Sequence, residues 1–331
     1  MSETSSISSV SVQAKDGGLL VQSDRPETWH VKPTQILSAQ ELSVLNAKSN
    51  VQGMLRLAGH LSIMGVSGDL WATHLDHWVL ALPALAIYGF TFAAMFAPMH
   101  ECAHRTAFAS NGLNDAMAWF AGLLSFYNST FYRRYHKWHH RYTRIPGKDP
   151  ELGDPQPKSL GDYIWQISGI PWWIGKIKGH VRIALGQLED CPYIPETARA
   201  EVIRSTRLQL LVYGVAIALS LTFSQPWFLL YWLLPLAVGQ PLLRFILLAE
   251  HTDCTLDDNP LANTRTTLTL APLRYLMWNM PFHAEHHLYA SIPFHALPAA
   301  HEKLGSHLTH VDPGYIKVNQ NILNNLGQLS A

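Results

Sequence analysis

Charge is scarce in this chain. Only 15% of its 331 residues are Asp, Glu, Lys or Arg, against about a quarter in ordinary soluble proteins. The few charges also cancel, with 24 basic and 24 acidic residues. No basic excess exists to draw in a polyanion, so no nucleic-acid partner is expected. Cysteine is nearly absent: Cys102, Cys191 and Cys254 are odd in number and far apart, which excludes a disulfide framework and a thiolate metal site. The first 50 residues open with a Ser-rich stretch and lack the apolar core that a secretory signal needs. No internal repeat or low-complexity linker divides the rest. The expected organisation is therefore one domain over 51–310, between a tail and lead-in over 1–50 and a C-terminal tail over 311–331.

What the chain has in quantity is apolar runs, 11 tryptophans and 18 histidines. A hydrocarbon core takes roughly 20 apolar residues per helix. Residues 79–99 carry no charge at all, and 208–223 and 227–249 are similarly apolar. The stretch 57–75 is apolar but includes His60, Asp69 and His74, and it is long enough to pair with 79–99 as a tight hairpin. Four transmembrane helices in two hairpins follow. Pro235 and Pro241 should kink the last one. The short links at 76–78 and 224–226 contain no Lys or Arg, whereas His100 to Arg207 contains 14. The positive-inside rule puts that segment, and the region after residue 250, on the cytoplasmic side. Residues 116–127 and 164–175 are apolar but too short or broken to span, and read as interfacial helices. Residues 35–55 have a weak helical period suited to a membrane-surface lead-in. The fold class is all-α: a polytopic membrane protein with a cytoplasmic helical cap.

Eight histidines fall in three groups with helical spacing: His100 and His104; His136, His139 and His140; His283, His286 and His287. Spacings of three and four put each group on one helix face. Imidazole suits iron, zinc and copper, and eight ligands are too many for one ion, so the count implies a binuclear site without choosing the metal. His251 ends the fourth apolar run; an ionisable group at that depth tends to be functional, which makes it a ninth ligand, the alternative being a ring facing lipid headgroups. Glu101, Glu285, Asp149 and Asp115 are carboxylate partners of an imidazole N–H, the alternatives being a further metal ligand or a solvated surface acid. His60, His74 and His77 belong near the opposite or outer rim, and His295, His301, His307 and His310 lie in a polar C-terminal region, so these seven are excluded as ligands.

The boxes HxxxH, HxxHH and HxxHH occur as HECAHRTAF, RRYHKWHHRYT and WNMPFHAEHHLYASIPFHALP. Their order, and the hairpins between them, resemble the membrane fatty acid desaturase superfamily over about residues 55–310. That resemblance implies a non-haem centre of two Fe ions on the eight box histidines, with His251 in the place where related enzymes recruit a further histidine. It implies O2 as co-substrate and oxidation of an unactivated C–H bond in a fatty acyl or other apolar substrate drawn from membrane lipid. The first box has three residues between its histidines rather than four, and the third begins with His rather than the Gln of front-end members. No HPGG motif of an appended haem domain is found, so electrons are expected from a separate ferredoxin or cytochrome b5. The basic run of Arg133, Arg134, Lys137, Arg141 and Arg144 either docks that acidic donor or only reflects topology. The implied activity is a desaturase. The alternatives are a hydroxylase of the same superfamily acting on a carotenoid or another apolar metabolite and, outside it, a metal transporter or sensor. The endoplasmic reticulum or a bacterial inner membrane is the expected location.

Overall fold

The computed structural model describes residues 36–154 and 156–326. The Ser-rich start lies outside these residues. Helix α1 (Ala39–Leu45) begins at a capping box in which Ser38 and Glu41 satisfy each other's backbone N–H. Instead of standing free as a surface lead-in, α1 closes a small cluster in which Leu37 and Leu45 meet Phe282, Ile292 and Leu297.

Helices α2 (Asn50–Thr73) and α3 (Trp78–Ala93) form the first hairpin, and α4 (Phe96–His104) continues α3 almost without a break. Then come α5 (Asn111–Leu124), α6 (Ser129–Tyr142), α7 (Leu160–Ile167), α8 (Ile170–Ala184), α9 (Glu196–Thr222) and α10 (Leu234–His251). The C-terminal part is made of α11 (Ala271–Leu276), α12 (His283–Leu288), α13 (Leu297–Leu304) and α14 (Tyr315–Asn324). Two two-residue strands, β1 (Thr266–Thr267) and β2 (Val311–Asp312), pair in parallel. The segment expected as a C-terminal tail thus carries β2 and α14, whose Tyr315, Val318 and Ile322 are buried in the main core.

Among the described residues, three helices are long and apolar enough to cross a membrane: Trp78–His104, Glu196–Thr222 and Leu229–His251. Their outward faces are apolar, with Leu211, Val215, Leu219 and Leu221 exposed along α9. Such a surface suits lipid rather than water. Helix α2 is long enough at 24 residues, but Arg56, His60 and Asp69 dilute its apolar character. His60 does not sit at a rim: its ring is fully buried in the hairpin, and Nε2 lies 2.8 Å from the Thr91 carbonyl.

Pro235 disturbs the last run as its missing N–H requires. The turn before it, Leu229–Leu233, is π-helical, and the Tyr231 carbonyl that residue 235 would have bonded accepts the Tyr88 hydroxyl at 2.8 Å instead. Helices α3 and α10 touch backbone to backbone: a Cβ on Gly239 would stand 1.9 Å from the Gly89 carbonyl oxygen, so glycine at both positions is what allows the crossing. The apolar stretch expected as one helix over 164–175 is split. Gly169, at φ 77°, ends α7 and starts α8 while lying against Gln240. On α8, Ile174, Ile177, Val181 and Leu185 form an exposed apolar face, as an interfacial helix requires.

Candidate metal centre

Each histidine group arrives on a different helix. His100 and His104 sit in the last turns of α4, which stops at Arg105 in the left-handed conformation (φ 60°). Asp115 fixes that stop through ion pairs of 2.9 Å to Arg105 and 2.6 Å to Arg133. It is therefore a partner of guanidinium groups and not of an imidazole. His136, His139 and His140 share one face of α6, and His283, His286 and His287 make up half of α12. His251 is the last residue of α10, and the side chain of Arg265 caps that end by donating to the Ala249 and Thr252 carbonyls, each at 2.7 Å.

All nine imidazoles converge. The nitrogens of His100, His104, His136, His140 and His286 lie within 4.8 Å of one another, and so do those of His139, His251 and His287. His283 joins the second group, with its Nε2 3.2 Å from Nε2 of His251. The two groups adjoin, since the His140 and His287 rings stack at 4.1 Å between centroids. The sequence boxes therefore do not map onto one group each: the α6 and α12 boxes both divide between the two groups.

The second group is oriented from outside. Nδ1 of His139 lies 2.9 Å from Asp149 Oδ1, Nδ1 of His251 lies 3.1 Å from the Asn263 carbonyl, and Nδ1 of His287 lies 3.2 Å from the Thr143 hydroxyl. Each contact occupies the outer nitrogen and leaves Nε2 facing inward, the tautomer a metal ligand needs. Asp149 also accepts from the backbone N–H groups of Arg144 and Glu151. Burial alone would raise its carboxyl, but the His139 bond and these amides hold it below the usual range.

Among the described residues the first group has no such hydrogen-bonded clamps, the nearest approach being Glu151 Oε1 at 3.9 Å from Nδ1 of His136. His100 and His286 each have both ring nitrogens buried without a hydrogen-bond partner, and further nitrogens of His104, His136, His140, His283 and His287 are in the same state. Buried polar atoms are normally satisfied, so this many orphaned acceptors in one place mark a site shaped for cations. Burial, reinforced by repulsion among the rings, pushes His136, His140, His283, His286 and His287 well below their ordinary values. They stay neutral, as ligation requires. His139 is the exception: burial opposes its charge, but Glu151 and Asp149 outweigh that and raise it. A nitrogen-only set of this size fits two transition-metal ions such as iron.

Carboxylates surround the rings. Glu151, which spacing did not single out, stands 3.5 Å from Nε2 of His139, and Glu250 stands 3.4 Å from Nε2 of His283. Glu250 precedes His251 in the chain, and that adjacency was the only signal available. Glu285 is fully buried and does hold an imidazole, but that of His301, together with the Thr266 hydroxyl; its bond lifts His301 above its ordinary value. Glu101 is buried too and accepts from Thr106 at 2.7 Å. Most of the basic run is engaged internally: Arg133 binds Asp115, Arg134 binds Glu201, and Arg144 donates to the Cys254 and Thr255 carbonyls. Lys137 and Arg141 remain exposed.

A cavity of about 580 Å³ opens beside the rings. His100, His136, His139, His251 and His283 border it, and Phe96, Tyr132, Ile167, Leu247 and Leu248 line much of the remainder. Such a mixture of apolar wall and a few polar groups is what a small-molecule site requires.

The fatty acid desaturase family matches over residues 76–319. The chain is 26% identical over 239 residues to the sn-1 oleoyl-lipid 12-desaturase of Picosynechococcus sp., covering 69% of this chain and 65% of that protein. It is 23% identical over 259 residues to the Delta(5) fatty acid desaturase fat-4 of Caenorhabditis elegans, covering 69% and 58%. The chain thus spans less than two thirds of the length of both relatives.

Proposed function

The chain belongs to the fatty acid desaturase family, and from that membership and its paired imidazole groups we propose that it is a multi-pass membrane oxidoreductase that introduces a double bond into a fatty acyl chain. The carrying observation is the sorting of nine buried imidazoles into two adjoining groups beside an apolar cavity. His100, His104, His136, His140 and His286 would hold one iron, and His139, His251, His283 and His287 the other. Two such irons supply the capacity to reduce O2 and take hydrogen from an unactivated C–H bond. In balance, the acyl chain gives up two vicinal hydrogens, a donor gives two electrons, the solvent gives two protons, and O2 leaves as two waters. The donor in this proposal is a separate ferredoxin or cytochrome b5.

The protein's own part is positioning and exclusion. Asp149, Asn263 and Thr143 keep three Nε2 atoms turned inward. The aromatic and aliphatic walls of the cavity hold a flexible chain and keep out bulk water. In the membrane we propose four spans, with α2 joining the three apolar helices to complete two hairpins. The histidine end faces the cytoplasm, a reading supported by the 14 Lys and Arg residues between His100 and Arg207. Endoplasmic reticulum or bacterial inner membrane fits that orientation.

Expression in a host of defined lipid composition, followed by mass spectrometry of its lipids, tests the activity. An acyl species lacking two hydrogens is expected, while a gain of one oxygen would convert the assignment to a hydroxylase. A purified, active protein devoid of iron would overturn the proposed chemistry.

A further inference from the structure

The cavity contains groups that have no part in holding a metal. Arg244, Leu247, Leu248 and His251 all border it and fall at i, i+3, i+4 and i+7 on α10, one helix face. That face therefore reads cation, apolar, apolar, imidazole from the helix interior to its end. Lys176, from α8, borders the same space. The two cations share an aromatic seat. Arg244 Nη2 donates to the Tyr127 hydroxyl at 3.2 Å, and Trp172 Nε1 donates to the same oxygen at 2.9 Å. Lys176 Nζ lies 3.5 Å from the centre of the Tyr127 ring, and the Arg244 guanidinium carbon 5.7 Å from that of Trp172.

Neither cation forms an ion pair within 4.0 Å among the described residues, and Arg244 Nε is buried with no hydrogen-bond partner. Asp154, Glu151 and Glu250 border the cavity as well, but two of them are committed elsewhere, Glu151 beside His139 and Glu250 beside His283. Two cations held side by side in a partly apolar cavity with no ion pair of their own, Asp154 acting on Lys176 only from beyond contact distance, are costly. A bound anion would offset that cost.

We propose that Lys176 and Arg244 bind the anionic head group, carboxylate or phosphate, of the acyl substrate, and that the adjoining methylenes pass Leu247 and Leu248 toward the imidazoles. The proposal rests on the acyl-chain reading above and adds a class of head group to it. Arg244 and His251 are seven positions apart on the helix, about 10 Å along the axis, so the reacting carbons lie in the head-proximal part of the chain. A neutral head would leave both cations unpaired, and the site selects against it on that account.

Binding alone tests this, without turnover. The full chain, iron-loaded and in nanodiscs of zwitterionic lipid, is titrated calorimetrically with decyl phosphate, decanoate and the neutral decyl glycerol. Both anions should bind about tenfold or more tightly than the neutral probe. Arg244→Gln and Lys176→Gln should each erase most of that preference while leaving neutral binding unchanged. Lys176 lies on the interfacial helix α8, so its variant reports even if Arg244→Gln fails to fold. Tighter binding of decyl phosphate than of decanoate identifies a phospholipid head, and the reverse a free acid. Equal affinity for all three probes, or variants that weaken all three alike, overturns the proposal. Anion binding without desaturation would instead count against the activity and leave this site standing.

Discussion

His139 and Asp149 face each other at 2.9 Å between Nδ1 and Oδ1, and both side chains are closed to solvent. Ten residues apart in sequence, they meet because α6 ends at Tyr142 and the chain turns back through a loop, where Asp149 caps the short helical turn Pro150–Gly153. The carboxylate thereby selects which nitrogen of His139 points inward.

Asp149→Asn keeps the size of the side chain but removes its charge. Partners of this kind typically govern metal affinity by about 10- to 100-fold. The variant should therefore lose iron to a chelator faster than the parent and show a matching fall in activity. An unchanged iron dissociation rate would show that the pair is only a packing contact.

The division of the imidazoles predicts an unequal stoichiometry. His251→Ala removes a nitrogen from the group of four and leaves the group of five whole, so the purified protein should carry one iron in place of two by elemental analysis. His286→Ala should do the converse, and the two remaining ions should differ in their Mössbauer parameters. Loss of both ions in both variants would point to one indivisible cluster.

Chelation should cost stability as well as activity. With no metal, several ring nitrogens are buried without partners, among them both of His100 and His286 and Nε2 of His104 and His287, and any ligand that binds only the folded state raises its melting midpoint. Stripped protein should melt at a lower temperature in detergent, and ferrous iron should restore the midpoint where magnesium, which prefers oxygen ligands, does not.

Lys176 gives a pH dependence. Burial, then the charge of Arg244, push its ammonium down to about 7 against the pull of Asp154 and Glu151. Tyr127, on which it rests, and His180, one turn along α8, are its other neighbours. The ammonium is charged below that value and neutral above it, while Arg244 keeps its charge throughout. Binding of decyl sulfate, an anion at every pH in the range, should weaken between about pH 6 and about pH 8. The Lys176→Gln variant should show a flat profile.

Spacing in the sequence was sufficient to pick out eight imidazoles, and the end of an apolar run to add His251, because helical periodicity and apolar flanks are local properties. Which rings share a group is not local. It depends on how α4, α6, α10 and α12 cross, and those crossings divided two of the three boxes. The outer partners were legible only in part. Asp149 could be named as a carboxylate near a box, but Asn263 contributes a backbone carbonyl, which no side-chain pattern reveals. Glu285 was a reasonable partner for an imidazole, yet the ring it holds belongs to His301, brought in by α13. The break between α7 and α8 had a visible marker in Gly169, which was masked by the apolar residues on either side.

The glycine contact between α3 and α10 has a mechanical meaning. Gly89 lies 11 residues before His100, and Gly239 lies 12 before His251, so each imidazole stands about 17 Å along its helix from the point of contact. The pair behaves as a fulcrum with two nearly equal lever arms. A change of about 5° in crossing angle would move the tip of an arm by roughly 1.5 Å at that length, enough to spoil a coordination sphere. Residues midway along the apolar helices, far from the nine converging imidazoles, thus set the tolerance to which the centre is built, and even a methyl group at Gly239 should register as a change in metal geometry.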